Sequence, residues 1–139
     1  IILCCELNPQ THHLIDEKAL QSMKKSSYII NIARGSIIDQ KALTFALQKG
    51  IIAGAGLDVF EKEPINPEDP LLNLDNIIVS PHGLGWTDEC FTSIGRNAVA
   101  AICRLATGRL PEFIVNHEAA RHISLREKLR VFASNAVSA

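Results

Sequence analysis

Ile51 to Pro64 reads I-I-A-G-A-G-L-D-V-F-E-K-E-P, an apolar run that turns acidic and stops at a proline. Gly54 and Gly56 are small enough to let a neighbouring backbone or a ligand approach closely. Asp58, Glu61 and Glu63 follow as the run becomes a loop. A buried strand ending in carboxylates is where open α/β sheets collect their chemistry. Two further stretches repeat the arrangement. Tyr28–Gly35, Y-I-I-N-I-A-R-G, ends in Arg34, and Ile77–His82, I-I-V-S-P-H, ends in His82. Three strand ends thus deliver arginine, glutamate and histidine, a set able to bind an anion and move a proton.

The chain around these stretches alternates strand and helix. Ile1–Cys5 is short and continuously apolar, as a strand buried on both faces should be. Asp16 is placed to cap a short helix with Ala19, Leu20 and Met23 on its inner side. Tyr28–Ile32 is the second strand. Asp39 caps a clearer helix with the stripe Ala42, Leu43, Ala46 and Leu47, stopped by Lys49 and Gly50. Ile51–Leu57 is the third strand and Ile77–Val79 the fourth; Pro64, Pro67 and Pro70 exclude a long helix between them. Such alternation predicts a parallel sheet built from βαβ crossovers. Thr87 caps the longest helix, whose apolar positions Phe91, Ile94, Ala98, Ala101, Ile102 and Leu105 keep helical spacing up to Gly108. Leu110–Val115 reads as an added strand or a docked tail. Ser124 and Glu127 have capping-box spacing, with Leu125, Leu129 and Phe132 available to face a partner surface.

Bulk properties narrow the function classes. A hydrophobic fraction of 47% and a charged fraction of 21% fit an ordinary globular domain. The net charge of −1 argues against nucleic-acid or anionic-membrane binding through a broad basic field. No apolar stretch approaches the roughly 20 residues of a membrane-spanning helix. Cys4, Cys5, Cys90 and Cys103 lack metal-ligand spacing, so no metal is expected and the cysteines read as reduced core thiols of a cytoplasmic protein. The chain opens inside a strand-like run without a Met. That start reads as a cut through an existing sheet, and the chain as a piece of a longer protein.

Each candidate residue has a plainer reading beside the chemical one. Arg34 is either a solvated loop residue or a fork of donors matched to a carboxylate. His82 is either structural or a proton-transfer group, since imidazole titrates near neutral pH. Glu63 could pair with His82, hold its tautomer and favour the imidazolium; on spacing alone Glu61 could do the same. Asp58 could serve as a loop cap. His12, His13, His117 and His122 have no strand-end context and are read as surface residues.

Three stretches together carry a resemblance. They are M-K-K-S-S-Y-I-I-N-I-A-R-G-S-I-I-D, then A-L-x-x-A-L-Q-K-G-I-I-A-G-A-G-L-D-V-F-E-K-E-P, then P-L-L-N-L-D-N-I-I-V-S-P-H. Over roughly residues 1 to 116 the chain resembles the carboxyl-terminal part of the D-isomer-specific 2-hydroxyacid dehydrogenases. That family includes phosphoglycerate dehydrogenase and glyoxylate/hydroxypyruvate reductase. The resemblance implies the second half of a Rossmann-type parallel sheet, followed by a long crossover helix and a helical tail. On this division residues 1–84 belong to the NAD-binding domain, 85–118 form the crossover helix and the return to a substrate domain, and 119–139 are an extension. The Phe91–Leu105 helix is then expected to show an exposed apolar face or to bury it against another chain.

The resemblance also implies roles. Arg34 would bind the substrate carboxylate and polarise the reacting carbonyl, and His82 would be the general acid or base. Glu63, rather than Glu61, would pair with His82. Cys5, Ile32, Ala33, Arg34, Asp58 and His82 would line the cofactor site, with Asp58 at the nicotinamide end. The implied cofactor is NAD, with NADP also allowed, the implied partner a small 2-keto or 2-hydroxy acid, and the implied parent a homodimer. Some residues depart from the family pattern. No G-x-G-x-x-G occurs in the 139 residues, Glu6 stands where proline is usual, and G-L-G-W follows His82. The implied reaction is hydride transfer between NAD(P) and a 2-hydroxy/2-keto acid by a parent enzyme, with the fragment inactive alone. Two other readings are an NAD-sensing corepressor-type binding module of the same fold and an inert truncated product.

Overall fold

The computed structural model describes residues 1–137. The chain divides into two compact units, Ile1–Gly85 and Trp86–Ala139. The first holds β1 (Ile2–Leu3), α1 (Glu17–Ser22), β2 (Tyr28–Asn31), α2 (Gln40–Gln48), β3 (Gly54–Leu57) and β4 (Ile77–Val79). All four strands are parallel, in the order β1-β2-β3-β4. A parallel order without reversals requires crossovers, and α1 and α2 supply the first two. The expected caps form. The side chain of Asp16 accepts from the Ala19 amide at 2.8 Å, and that of Asp39 from Ala42 at 3.0 Å.

The core lies on one side of the sheet. Leu3, Ile29, Ala55 and Leu57 meet Leu20 of α1 and Leu43, Ala46 and Leu47 of α2 there. No helix of this unit packs on the opposite face, where Ile2, Tyr28 and Ile78 are exposed. Burial of β1 on both faces is therefore not what the structure holds: Leu3 is covered while Ile2 is 65% exposed. The reason is layering, since α1 and α2 pack together over the same face. β3 is also shorter than its apolar run. The Ile51 amide turns back to the Ala46 carbonyl at 2.9 Å, so Ile51 and Ile52 leave the end of α2 before the first bond toward the neighbouring strand, from the Ala53 amide to the Ser27 carbonyl at 2.9 Å. The reading of the cysteines as core thiols is likewise corrected. Cys4, Cys90 and Cys103 are exposed and Cys5 half-buried, all four with free thiols.

The second unit holds α3 (Asp88–Ala106) and α4 (Ile123–Val137). Thr87 caps α3 by accepting from the Cys90 amide at 3.2 Å, and Gly108, at φ 71°, takes the left-handed turn after it. No α3 side chain is buried; Phe91, Ile94, Val99 and Ile102 leave an exposed apolar face, as expected. Leu110–Val115 forms no strand. Its two β-branched residues and Phe113 find no ladder partner, and the Leu110 carbonyl accepts instead from Arg104 Nε at 2.6 Å. Ser124 lies inside α4 with its hydroxyl on the His122 ring, so the expected capping box is absent. Leu129 is not free for a partner either, being buried where α4 crosses Gly108.

Gly35 marks a close backbone approach in the first unit. A Cβ there would sit 1.9 Å from the Phe60 carbonyl carbon and 2.4 Å from the Glu61 nitrogen. Neither atom belongs to a side chain able to swing away. Gly35→Ala is expected to destabilise the fold by about 1–3 kcal/mol, the usual cost of overpacking, as read from a urea midpoint.

Candidate active site

Parallel strands point their carboxyl ends the same way, so the loops after β1, β2, β3 and β4 gather at one edge of the sheet. β2 ends in Asn31, a buried polar residue whose amide donates to the Arg34 carbonyl at 2.9 Å while its oxygen accepts from the Ala33 amide at 3.1 Å. These bonds fold Ile32–Arg34 into a tight turn. Cys5, Ile32, Ala33 and Arg34 line a groove of about 640 Å³ together with Glu6. The Arg34 side chain is exposed, with Nη1 donating to the Ala33 carbonyl at 2.6 Å.

The end of β3 holds the loop after β4. Asp58 is 5% exposed, and its carboxylate accepts from Ser80 Oγ at 2.6 Å, the Gly83 amide at 3.0 Å and the Leu84 amide at 3.3 Å. Burial opposes its ionisation, but the bonds from Ser80, Gly83 and Leu84, aided by His82, prevail and lower its pKa. The turn so anchored carries His82, whose backbone is left-handed at φ 53°. His82 Nδ1 lies 2.7 Å from Glu63 Oε2, and the other Glu63 oxygen accepts from the Phe60 amide at 3.0 Å. The bond to His82, the Phe60 amide and the charge of Arg34 together lower the Glu63 pKa. An ionised carboxylate only accepts, so Nδ1 carries the proton and Nε2 is left for another partner.

The structure thus joins Glu63 to His82 directly, ties Asp58 to the turn that carries His82, and places Cys5, Ile32, Ala33 and Arg34 along one groove. Spacing left Glu61 and Glu63 equal; in the structure Glu63 holds His82, and Glu61 lies 2.7 Å from His13 Nε2. His13 is therefore more than a surface residue. Sequence reasoning also passed over Asn31 and Ser80. The signal for Asn31 was present, a lone amide inside an otherwise apolar strand. Among the described residues, no cluster of three His, Cys, Asp or Glu side chains suits a metal ion.

Residues 1–83 match the NAD binding domain of the D-isomer specific 2-hydroxyacid dehydrogenases. The chain belongs to this family. A glyoxylate reductase of Korarchaeum cryptofilum is 42% identical over 112 residues, covering 81% of this chain and 34% of the relative. A glyoxylate/hydroxypyruvate reductase B of Pectobacterium carotovorum is 44% identical over 110 residues, covering 79% and 34%. The chain therefore spans about a third of the length of these curated relatives. Among solved structures, a D-isomer specific 2-hydroxyacid dehydrogenase of Lactobacillus delbrueckii in its NAD-complexed form superposes with a TM-score of 0.74 at 36% identity, covering 83% of this chain and 39% of that one. A glyoxylate/hydroxypyruvate reductase of Sinorhizobium meliloti, in complex with NADP and malonate, gives 0.68 at 34% identity, covering 73% and 32%. The Rossmann-type parallel sheet of the first unit is the NAD-binding fold of this family.

The buried carboxylate of Asp58 makes acid stability a direct readout of the anchor. Its folded pKa is lowered, so its contribution is full above the unfolded value near 3.9 and is lost as pH falls through the folded value. Asp58→Asn is expected to melt earlier than wild type at pH 7. The gap should narrow below about pH 4, as thermal melts across pH 2–7 would record.

Proposed function

We propose that this chain supplies the general acid/base and the anion clamp of an NAD(P)-dependent oxidoreductase that interconverts 2-keto and 2-hydroxy acids. The observation that carries the reading is the 2.7 Å bond between Glu63 and His82 Nδ1 at the strand edge that also holds Arg34. Arg34 binds the substrate carboxylate through its fork of donors and polarises the adjacent carbonyl. His82 gives a proton from Nε2 to the carbonyl oxygen on reduction and takes it back on oxidation. Glu63 keeps that ring in one tautomer throughout. NAD(P), when bound, supplies or accepts the hydride at the substrate carbon.

The groove beside Cys5, Ile32 and Ala33 suits the nicotinamide half of the cofactor. It is flanked by small and apolar side chains and open to Arg34. Asp58 lies at the nicotinamide end in this reading and holds the His82 turn. The glycine fingerprint that cradles a diphosphate is absent from the 139 residues. Residues 85–118 serve as the crossover to a substrate domain, residues 119–139 as an extension, and the complete enzyme acts as a cytoplasmic homodimer.

Residues 1–139 by themselves are expected to give no NADH oxidation with glyoxylate or hydroxypyruvate. In a complete enzyme carrying this chain, His82→Asn is expected to lower kcat by about 10²–10⁴-fold with cofactor affinity nearly unchanged. Arg34→Lys keeps the charge but loses the fork, so it should chiefly raise KM for the keto acid. A His82→Asn enzyme with wild-type kcat would overturn the reading.

Glu63→Gln has its own signature. A neutral amide can meet Nδ1 with either its oxygen or its NH2, so the ring is no longer confined to one tautomer, and kcat for keto-acid reduction should fall with KM for the keto acid nearly unchanged. Steady-state kinetics of the two enzymes measure it, and a wild-type kcat in the variant would remove Glu63 from its role.

A further inference from the structure

The loop that presents Glu63 carries a second glutamate two residues earlier, and each has a histidine. Glu61 Oε1 lies 2.7 Å from His13 Nε2, as Glu63 Oε2 lies 2.7 Å from His82 Nδ1. Among the described residues, His13 (φ 50°) and His82 (φ 53°) are the two non-glycine positions with left-handed backbones. A side chain held in that region needs surrounding bonds to keep it there. For His13 these are its amide on the Ser36 carbonyl at 2.8 Å, its ring stacked on His12 at 4.0 Å, and the bond to Glu61.

Glu61 is gripped from α2 as well. Its carboxylate accepts from the Gln40 amide at 3.2 Å, while its own amide donates to Gln40 Oε1 at 3.1 Å. Gln40 Nε2 is in turn fixed on Asp69 at 2.9 Å, and Asp39 approaches His13 Nδ1 at 4.0 Å. The loop from Phe60 to Glu63 therefore has one set of bonds reaching back to the helix and another reaching forward to His82. An isolated surface ion pair contributes little to stability. This one closes a contact between residues 48 apart and pins the backbone two residues from the group that touches His82.

We propose that His13 is a positioning residue. By holding the Glu61 carboxylate from the loop after β1, beside the Gln40 bonds from α2, it sets the Glu61–Glu63 loop at the distance from which Glu63 holds the His82 ring. The assignment rests on the acid/base role of His82 for its catalytic meaning, but its structural content is the coupling of two bonds in this chain. Because Glu63 accepts, an intact pair keeps the neutral His82 ring in the Nδ1–H form. A loop released from His13 lets that ring relax toward the Nε2–H form common in free imidazole.

The test is the tautomer of His82 in the 139-residue chain, read from long-range ¹⁵N–¹H correlations at alkaline pH. His13→Asn keeps a residue that tolerates a left-handed backbone while withdrawing the Nε2 donor, and Glu61→Ala breaks the same bond from the other side. His13 and Glu61 side chains are 37% and 31% exposed, so neither substitution opens the core. Both variants are expected to lose the excess of Nδ1–H form, to the extent that Glu63→Ala loses it, and the double variant to lose no more than either single one. His82 signals unchanged in both variants would overturn the proposal. The measurement involves no turnover, so failure of the dehydrogenase reading would appear in the kinetics of His82→Asn and not here.

Discussion

The edge of the sheet is organised by one buried charge. Asp58 follows β3 directly with almost no access to water, and a carboxylate in that position survives only if its oxygens are bonded. The bonds come from Ser80, Gly83 and Leu84, all in the turn that follows β4. Satisfying the charge therefore fixes where His82 stands and holds its backbone in a left-handed turn. Glu63, five residues beyond Asp58, then reaches the ring of His82 from the loop that leaves the same strand. Position at this edge descends from β3 outward, first to the 80–84 turn and then to the Glu63–His82 bond.

Helix caps and apolar stripes were legible because they are local. Asp16, Asp39 and Thr87 announce the helices that follow them, and Leu43, Ala46 and Leu47 announce the face that α2 buries. The extent of β3 was not legible from apolarity. Ile52 is fully buried yet unpaired, since hydrophobicity marks removal from water and says nothing about ladder bonds. The strand-end residues Arg34, Asp58, Glu63 and His82 could be located in the sequence because parallel crossovers bring their loops to one edge. The particular partners could not. Ser80 on Asp58 and His13 on Glu61 depend on side-chain reach across the fold, which leaves no periodic trace.

The distribution of exposed apolar groups follows from the same topology. Two crossover helices cover one face of the sheet, which leaves Ile2, Tyr28 and Ile78 on the other. Within the second unit, α4 takes only the stretch around Gly108, so Phe91, Ile94 and Ile102 of α3 stay open. A doubly wound sheet is stable as a layer between two sets of helices. The first unit holds one of those sets.

The chemical consequence of the Glu63–His82 pair lies in which nitrogen is free to change. The His82 bond, the Phe60 amide and the charge of Arg34 keep Glu63 ionised, so Nδ1 donates whether the ring is neutral or cationic. Every gain or loss of a proton is then confined to Nε2. In the proposed reaction the same atom gives a proton to the keto oxygen in one direction and recovers it in the other, with no ring flip between. A histidine free to exchange tautomers would spend part of its time with the wrong nitrogen protonated, and would be an acid or a base at either face. Fixing the pair converts a general titrating group into a directional one. That direction is what Asp58, through the turn it anchors, and Glu63, through its carboxylate, jointly provide.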